Sequence, residues 1–124
     1  MKMQDKIVIN DYIDNDPLSK ENLDKTLETV DRFRLLLPNK SIWIYSGYTW
    51  NQVMYPIITD DFNPSRDELL HKRKEIVKQC TVMVDGRYID SQRNPSKKWA
   101  GSDNQRVIDC KESLRKGKIV LWKC

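Results

Sequence analysis

Three short polar segments hold most of the groups that could bind or react in this 124-residue chain. Ser46-Gly47-Tyr48-Thr49 follows the run SIWIY at 41–45, and Asp85-Gly86-Arg87 follows TVMV at 81–84. Trp99-Ala100-Gly101-Ser102-Asp103-Asn104-Gln105-Arg106 closes a long polar stretch. A glycine at a strand end permits a tight turn and lets the backbone come close to a ligand. Asp85 has the chemistry to meet a ribose hydroxyl or an ammonium group. Arg87 and Arg106 carry the planar fork that matches a carboxylate or a phosphate. Each segment alone reads first as an ordinary turn. Three on one predicted rim point to a binding site.

Other chemistry finds little support. No G-x-G-x-x-G, P-loop, H-E-x-x-H or G-x-S-x-G pattern occurs. His71 is the single histidine and no Ser or Cys stands beside an activating base, which argues against hydrolase chemistry. Cys80, Cys110 and Cys124 are widely spaced without a C-x2-C pair, so they read as buried or surface thiols. A zinc or iron–sulfur site takes three or four closely spaced soft ligands, and no metal ligand is assigned here. An odd cysteine count also argues against a disulfide framework.

The rim segments need elements to position them. KIVIN at 6–10, SIWIY, TVMV and KIVLW at 118–122 read as strands, with a brief one at 107–109. Leu23, Leu27, Val30 and Phe33 recur at helical spacing, which predicts a helix over 18–37 capped by Ser19. A second helix is predicted over 65–79, opened by a capping box of Ser65 and Glu68. Residues 50–55 form a short helix, 59–64 a loop, and 111–116 a helical turn. The stretch 87–106 is long and polar with little periodicity, and a loop of that length in a compact domain is usually functional or else mobile.

Strands alternating with amphipathic helices predict an α/β fold with a parallel sheet and right-handed crossovers. The expected architecture is a parallel-sheet partial (half) barrel of about four strands, with both long helices on one face and one domain over 1–124. Leu23, Leu27, Val30, Ile42, Ile44, Leu69, Ile76, Val82 and Val84 are its predicted core. In such sheets ligands gather at the carboxyl ends of the strands, which is where the rim segments fall.

Composition narrows the partners. No run approaches the roughly 18 apolar residues of a membrane span. Residues 1–6 lack the apolar core and cleavage site of a leader, so a cytoplasmic protein is expected. Residues 1–65 carry 7 basic and 10 acidic side chains, and residues 66–124 carry 15 and 8. The basic half could face a phosphate, nucleic acid or an acidic partner. Its densest cluster, His71-Lys72-Arg73-Lys74, lies in a predicted helix with an apolar opposite face and reads as a solvated surface. Nucleic acid is therefore the weakest reading, and it would show as affinity falling steeply with salt.

SGYTW at 46–50, VDGRY at 84–88 and WAGSDNQR at 99–106 together resemble the C-terminal half of the anaerobic (class III) ribonucleoside-triphosphate reductase activating proteins. Those are small radical S-adenosylmethionine enzymes. Their pattern runs T-G-Y-T, then V-D-G-K/R-F/Y, then W-R-G-S-x-N-Q-R, in the same order and spacing, and the likeness covers about residues 12–124. The family's G-G-D/E-P motif, which approaches the methionine end of the cofactor, aligns with Asp14-Asn15-Asp16-Pro17. The resemblance implies cofactor contacts at Asp14, Asn15 and Asp16, at Ser46, Gly47 and Tyr48, and at Asp85, Gly86 and Arg87. It implies further contacts at Ser102, Asn104, Gln105 and Arg106.

The departures are as informative. The family's C-x3-C-x2-C, which holds a [4Fe-4S] cluster, has no counterpart before Cys80. Asp14 and Asn15 replace two glycines, which would crowd a backbone–ligand contact, and Ala100 replaces an arginine. The expectation is a fragment or split subunit of such an activase, contributing S-adenosylmethionine and reductase contacts but not the cluster, and inactive alone. Its partners would be the anaerobic ribonucleoside-triphosphate reductase and a separate cysteine-bearing N-terminal half. The alternative is a non-catalytic module that binds nucleotide or reductase. A first strand without its usual neighbour also predicts self-association.

Overall fold

β-branched and aromatic side chains make Ser41–Ser46 (β2) a strand that lies inside the sheet, since Ile42, Trp43 and Ile44 are all buried. The structure, a computed structural model, describes residues 6–57 and 62–123. Lys6–Val8 (β1) and Val82–Asp85 (β3) flank β2, both parallel to it, and Arg106–Asp109 (β4) follows β3 in a sheet of order β1-β2-β3-β4. The parallel pairings expected for 41–45 with 81–84 are therefore present.

The helices lie where periodicity placed them. Leu23–Leu36 (α1) connects β1 to β2, while Trp50–Met54 (α2) and Pro64–Gln79 (α3) lie between β2 and β3. Leu23 and Val30 of α1 and Ile76 and Val77 of α3 pack with Ile7, Ile42, Ile44, Met83 and Ile108 of the sheet in one core. Leu27 and Leu69 are partly buried at its margin rather than inside it. On the sheet's other face Trp43, Val82 and Val84 are buried under Trp99 and Trp122. Trp43 meets Trp99 at 5.1 Å and Trp122 at 5.8 Å between ring centroids. The Lys6 ammonium sits 3.7 Å from the Trp43 ring centroid and 4.1 Å from that of Trp99.

Several expectations are corrected. The sheet is mixed, because β4 runs antiparallel to β3. A parallel return takes a crossover, usually helical, whereas the only helix in 87–105 is the single 3-10 turn Asp90–Gln92, and the segment brings the chain back at the same end. The run 118–122 is not a full strand: Leu121 bridges Ile108, Asp109 N–H donates to Val120 and Trp122 N–H to Val107. It arrives there because Gly117, with φ +67°, ends the helix Cys110–Lys116 (α4).

The helix starts differ as well. Pro64 takes the first position of α3, so the Asn63 carboxamide caps the Arg66 N–H at 3.0 Å and no Ser65–Glu68 box forms. The Ser19 hydroxyl donates to the Asp16 carbonyl instead of capping, and the α-helix proper begins at Leu23. A reciprocal capping box is present at Thr49 and Gln52. Of the predicted loop 59–64, residues 59–61 lie outside the described residues, as does Cys124.

Candidate functional site

The carboxyl ends of β1, β2 and β3 open into one cleft of about 620 Å³. Asp16 organises its first wall. Its carboxylate accepts from the Leu18 N–H at 2.9 Å, closing the turn locally. The same carboxylate accepts from the buried Ser46 hydroxyl at 2.9 Å and from the Gly47 N–H at 2.8 Å, which ties residues 14–18 to the end of β2. Asn15 has φ +65°, a left-handed conformation that asparagine tolerates far better than most residues. That backbone explains how Asn15 can stand at a position where glycine would be at ease. A Cβ on Gly47 would meet the Asp16 carboxylate at 3.4 Å, ordinary contact, so space does not require glycine there.

The second wall is the end of β3. Gly86 has φ +95°, and its N–H donates to the Tyr48 carbonyl. The exposed Arg87 guanidinium makes no hydrogen bond or ion pair among the described residues and lines the cleft. Burial pushes the Tyr45 phenol above its ordinary range. Burial does the same to Tyr88, aided by the hydrogen bond from its hydroxyl to Asp90.

The third motif serves this wall from behind. The Gln105 carboxamide oxygen accepts from the Gly101 and Ser102 N–H groups, and its nitrogen donates to the Gly86 carbonyl at 3.1 Å. Asn104 accepts from the Ser102 hydroxyl at 2.6 Å and donates to the Arg87 carbonyl at 2.7 Å. The polar ends of Ser102 and Asn104 are thus engaged inside the loop that carries them.

Of the residues singled out in the sequence, Asn15, Asp16, Ser46, Gly47, Tyr48, Gly86, Arg87 and Gln105 come together on the cleft. Asp14 is exposed beside it, and its carbonyl accepts from Asn22. Asp85 and Arg106 do not face it, because the antiparallel register sets them opposite each other. Arg106 binds Asp85 through both branches of its fork, at 3.1 and 2.6 Å. Asp85, 1% exposed, also accepts the Trp50 N–H at the start of α2, so its oxygens are committed within the protein. The hydrogen bond from Arg106 to Asp85 raises the guanidinium's pKa further.

Sequence reading missed Asn10, Ser19, Tyr45, Gln52 and Tyr88 on the cleft. Asn10 could have been found by the rule that located the others, since it ends the first strand run. Its carboxamide pairs with both the N–H and the carbonyl of Tyr45, at 2.9 Å each, extending the β1–β2 ladder with a side chain.

An iron–sulfur cluster takes thiolates, and the cysteines within the described residues do not fit one. Cys80 precedes β3 and Cys110 follows β4, so both lie at the end of the sheet away from the cleft. Burial pushes the Cys80 thiol up to about 12 and raises that of Cys110 well above its ordinary value, which keeps both protonated. No group of three or more His, Cys, Asp or Glu residues among the described residues could hold a metal ion. No helix among them is long and apolar enough to cross a membrane.

The sequence profile of a family described as a 4Fe-4S single cluster domain matches residues 13–108. The chain is similar to the anaerobic ribonucleoside-triphosphate reductase-activating protein of Escherichia coli K12, 33% identical over 92 residues, covering 74% of this chain and 49% of the relative. The protein of that name from Salmonella typhi is 29% identical over 117 residues, covering 86% and 66%. That from Enterobacteria phage T4 is 30% identical over 93 residues, covering 74% and 47%. The chain spans about half the length of most of these curated relatives. No solved structure matches it.

Proposed function

The chain belongs to the 4Fe-4S single cluster domain family, and from that premise we propose that it acts within anaerobic ribonucleoside-triphosphate reductase activation. In this reading its sheet is part of a radical S-adenosylmethionine barrel, and its cleft binds S-adenosylmethionine. Part of its surface docks on the reductase in the cytoplasm. The observation that carries the reading is the convergence of 14–18, 46–48 and 86–88 on one cleft at the ends of three parallel strands.

The residues divide the work by what they have free. Arg87 offers an unengaged fork for the cofactor's carboxylate. Asn15 and Gly47 offer backbone beside it, and Asp16 holds that backbone in place through Ser46 and the Gly47 N–H. Gln105 and Asn104 fix the backbone at Gly86 and Arg87, so the arginine starts from a set position. When bound, S-adenosylmethionine supplies one-electron chemistry for making a glycyl radical on the reductase. The cluster that feeds it would be held by cysteines other than Cys80 and Cys110, whose thiols are protonated and at the wrong end of the sheet.

Calorimetric titration of the chain with S-adenosylmethionine tests the site. Saturable binding is expected, weakened about tenfold in Arg87→Ala, the equivalent of one charge-assisted hydrogen bond; no binding by the wild-type chain overturns the reading. A second reading, a non-catalytic module with the same cleft, is favoured by the two buried, protonated thiols. Mixing with a cysteine-bearing partner separates the two. Cluster-dependent cleavage of S-adenosylmethionine supports the split enzyme, and binding without cleavage supports the module.

A further inference from the structure

Arg73 stands in the densest basic run of the sequence, yet its side chain does not point to solvent like a solvated helix face. From the middle of α3 its Nε donates to the Leu18 carbonyl at 2.8 Å, and an Nη donates to the Tyr48 hydroxyl at 3.2 Å. The guanidinium carbon also lies 4.5 Å from the Tyr48 ring centroid. One side chain therefore touches both loops of the first wall, the turn 14–18 and the segment 46–49. Asp16 joins those loops at one point, and Arg73 joins them at a second. Two separated ties resist rotation of one loop against the other, which a single tie does not.

We propose that Arg73 is a positioning residue of the cleft. It holds the Tyr48 ring and the 14–18 turn at a set separation and so sets the width available to the ligand. The role needs a guanidinium. Only a planar fork can lie against the ring, donate to the phenol oxygen and donate in a second direction to a carbonyl. Lysine keeps the charge and can reach one of the two acceptors. Methionine keeps the bulk and reaches neither. The residue lies outside the three motif segments, and its neighbours differ in role: Lys72 pairs with Asp24 and Glu68, and His71 is exposed.

The test uses the full chain with Arg73→Lys, Arg73→Met and Tyr48→Phe, read in two ways. Amide hydrogen exchange needs no ligand. In Arg73→Met the Leu18 and Gly47 amides should exchange about tenfold faster, the loss of roughly one hydrogen bond's protection. Ile44 and Met83 in the sheet should be unchanged, and Arg73→Lys and Tyr48→Phe should fall between. Unchanged loop exchange, or equal acceleration in the sheet, overturns the proposal. Should Arg73→Met fail to fold, the two milder variants carry the same comparison.

The second readout is S-adenosylmethionine affinity, and it rests on the reading of the cleft given above. Weaker binding in Arg73→Met with partial recovery in Arg73→Lys supports the positioning role. Equal affinity in wild type and Arg73→Met overturns it. If the wild-type chain does not bind this probe, the S-adenosylmethionine reading falls, and the exchange comparison alone decides on Arg73.

Discussion

At Asp16 and Asp85 two carboxylates of the same type have taken opposite roles. Asp16 accepts from groups on two loops at the cleft, whereas Asp85 is closed off by Arg106 and the Trp50 N–H. Thr26 is the described buried residue with a side-chain oxygen that finds no partner, on the α1 face turned inward. Thr26→Val should therefore stabilise the fold by about 1 kcal/mol, since it removes an unmet polar group and keeps the shape; urea unfolding measures it. Cys80 ties stability to pH. Its folded pKa of about 12 lies above the ordinary value of 9.0, so the unfolded thiol loses its proton first as pH rises. Stability from this group is intact below pH 9 and declines toward pH 12, as the sign of proton linkage requires. Unfolding free energy should fall as pH rises from 9 toward about 12, with a shallower slope in Cys80→Ala.

Among the elements, the long connection 87–105 behaves as a built structure rather than a mobile loop. Gln105, Asn104 and Ser102 knit it to the end of β3, an Arg93–Ser102 bridge closes it, and Trp99 covers the back of the sheet. Everything hinges on the backbone at Gly86. A Cβ there would find its nearest atom at 3.6 Å, so space is not the obstacle, but φ +95° is a conformation side chains resist. Gly86→Ala should cost about 1–2 kcal/mol from this strain, measured by thermal unfolding. Limited proteolysis between 87 and 105 should quicken in the same variant. Unchanged stability would mean that the turn relaxes to negative φ without loss.

For the whole molecule, the cysteine positions give an expected outcome. Reconstituted anaerobically with iron and sulfide, the purified chain should develop no stable cubane-type absorbance, because its described thiols are buried, protonated and far from the cleft. A brown protein with stoichiometric iron would contradict this. The sheet also has an open side: among the described residues β1 pairs only with β2, and Leu35 and Leu36 at the end of α1 are 80% and 70% exposed. Sedimentation at micromolar concentration should show species heavier than the 14.7 kDa monomer. A monodisperse monomer would mean that Trp99 and Trp122 close the core sufficiently by themselves.

The strands β1, β2 and β3, helices α1 and α3, and the position of the cleft were legible in the sequence, because each rests on local chemistry. Period-3.6 apolar spacing at Leu23, Val30 and Ile76 makes a helix face wherever it occurs. Gly47 and Gly86 after β-branched runs mark strand ends whatever lies beyond. The family likeness was legible too, in the order of SGYTW, VDGRY and WAGSDNQR. The direction of β4, the withdrawal of Asp85 and Arg106 into each other, and the inward turn of Arg73 were not. Each depends on which distant groups the chain brings alongside: residue 106 across twenty irregular residues, residues 18 and 48 beneath a helix. Periodicity carries no information about such meetings, because they are set by how the connection returns and which acceptors remain unfilled when it does. Local pattern placed the cleft, and only tertiary pairing decided which of the polar groups around it were left unengaged.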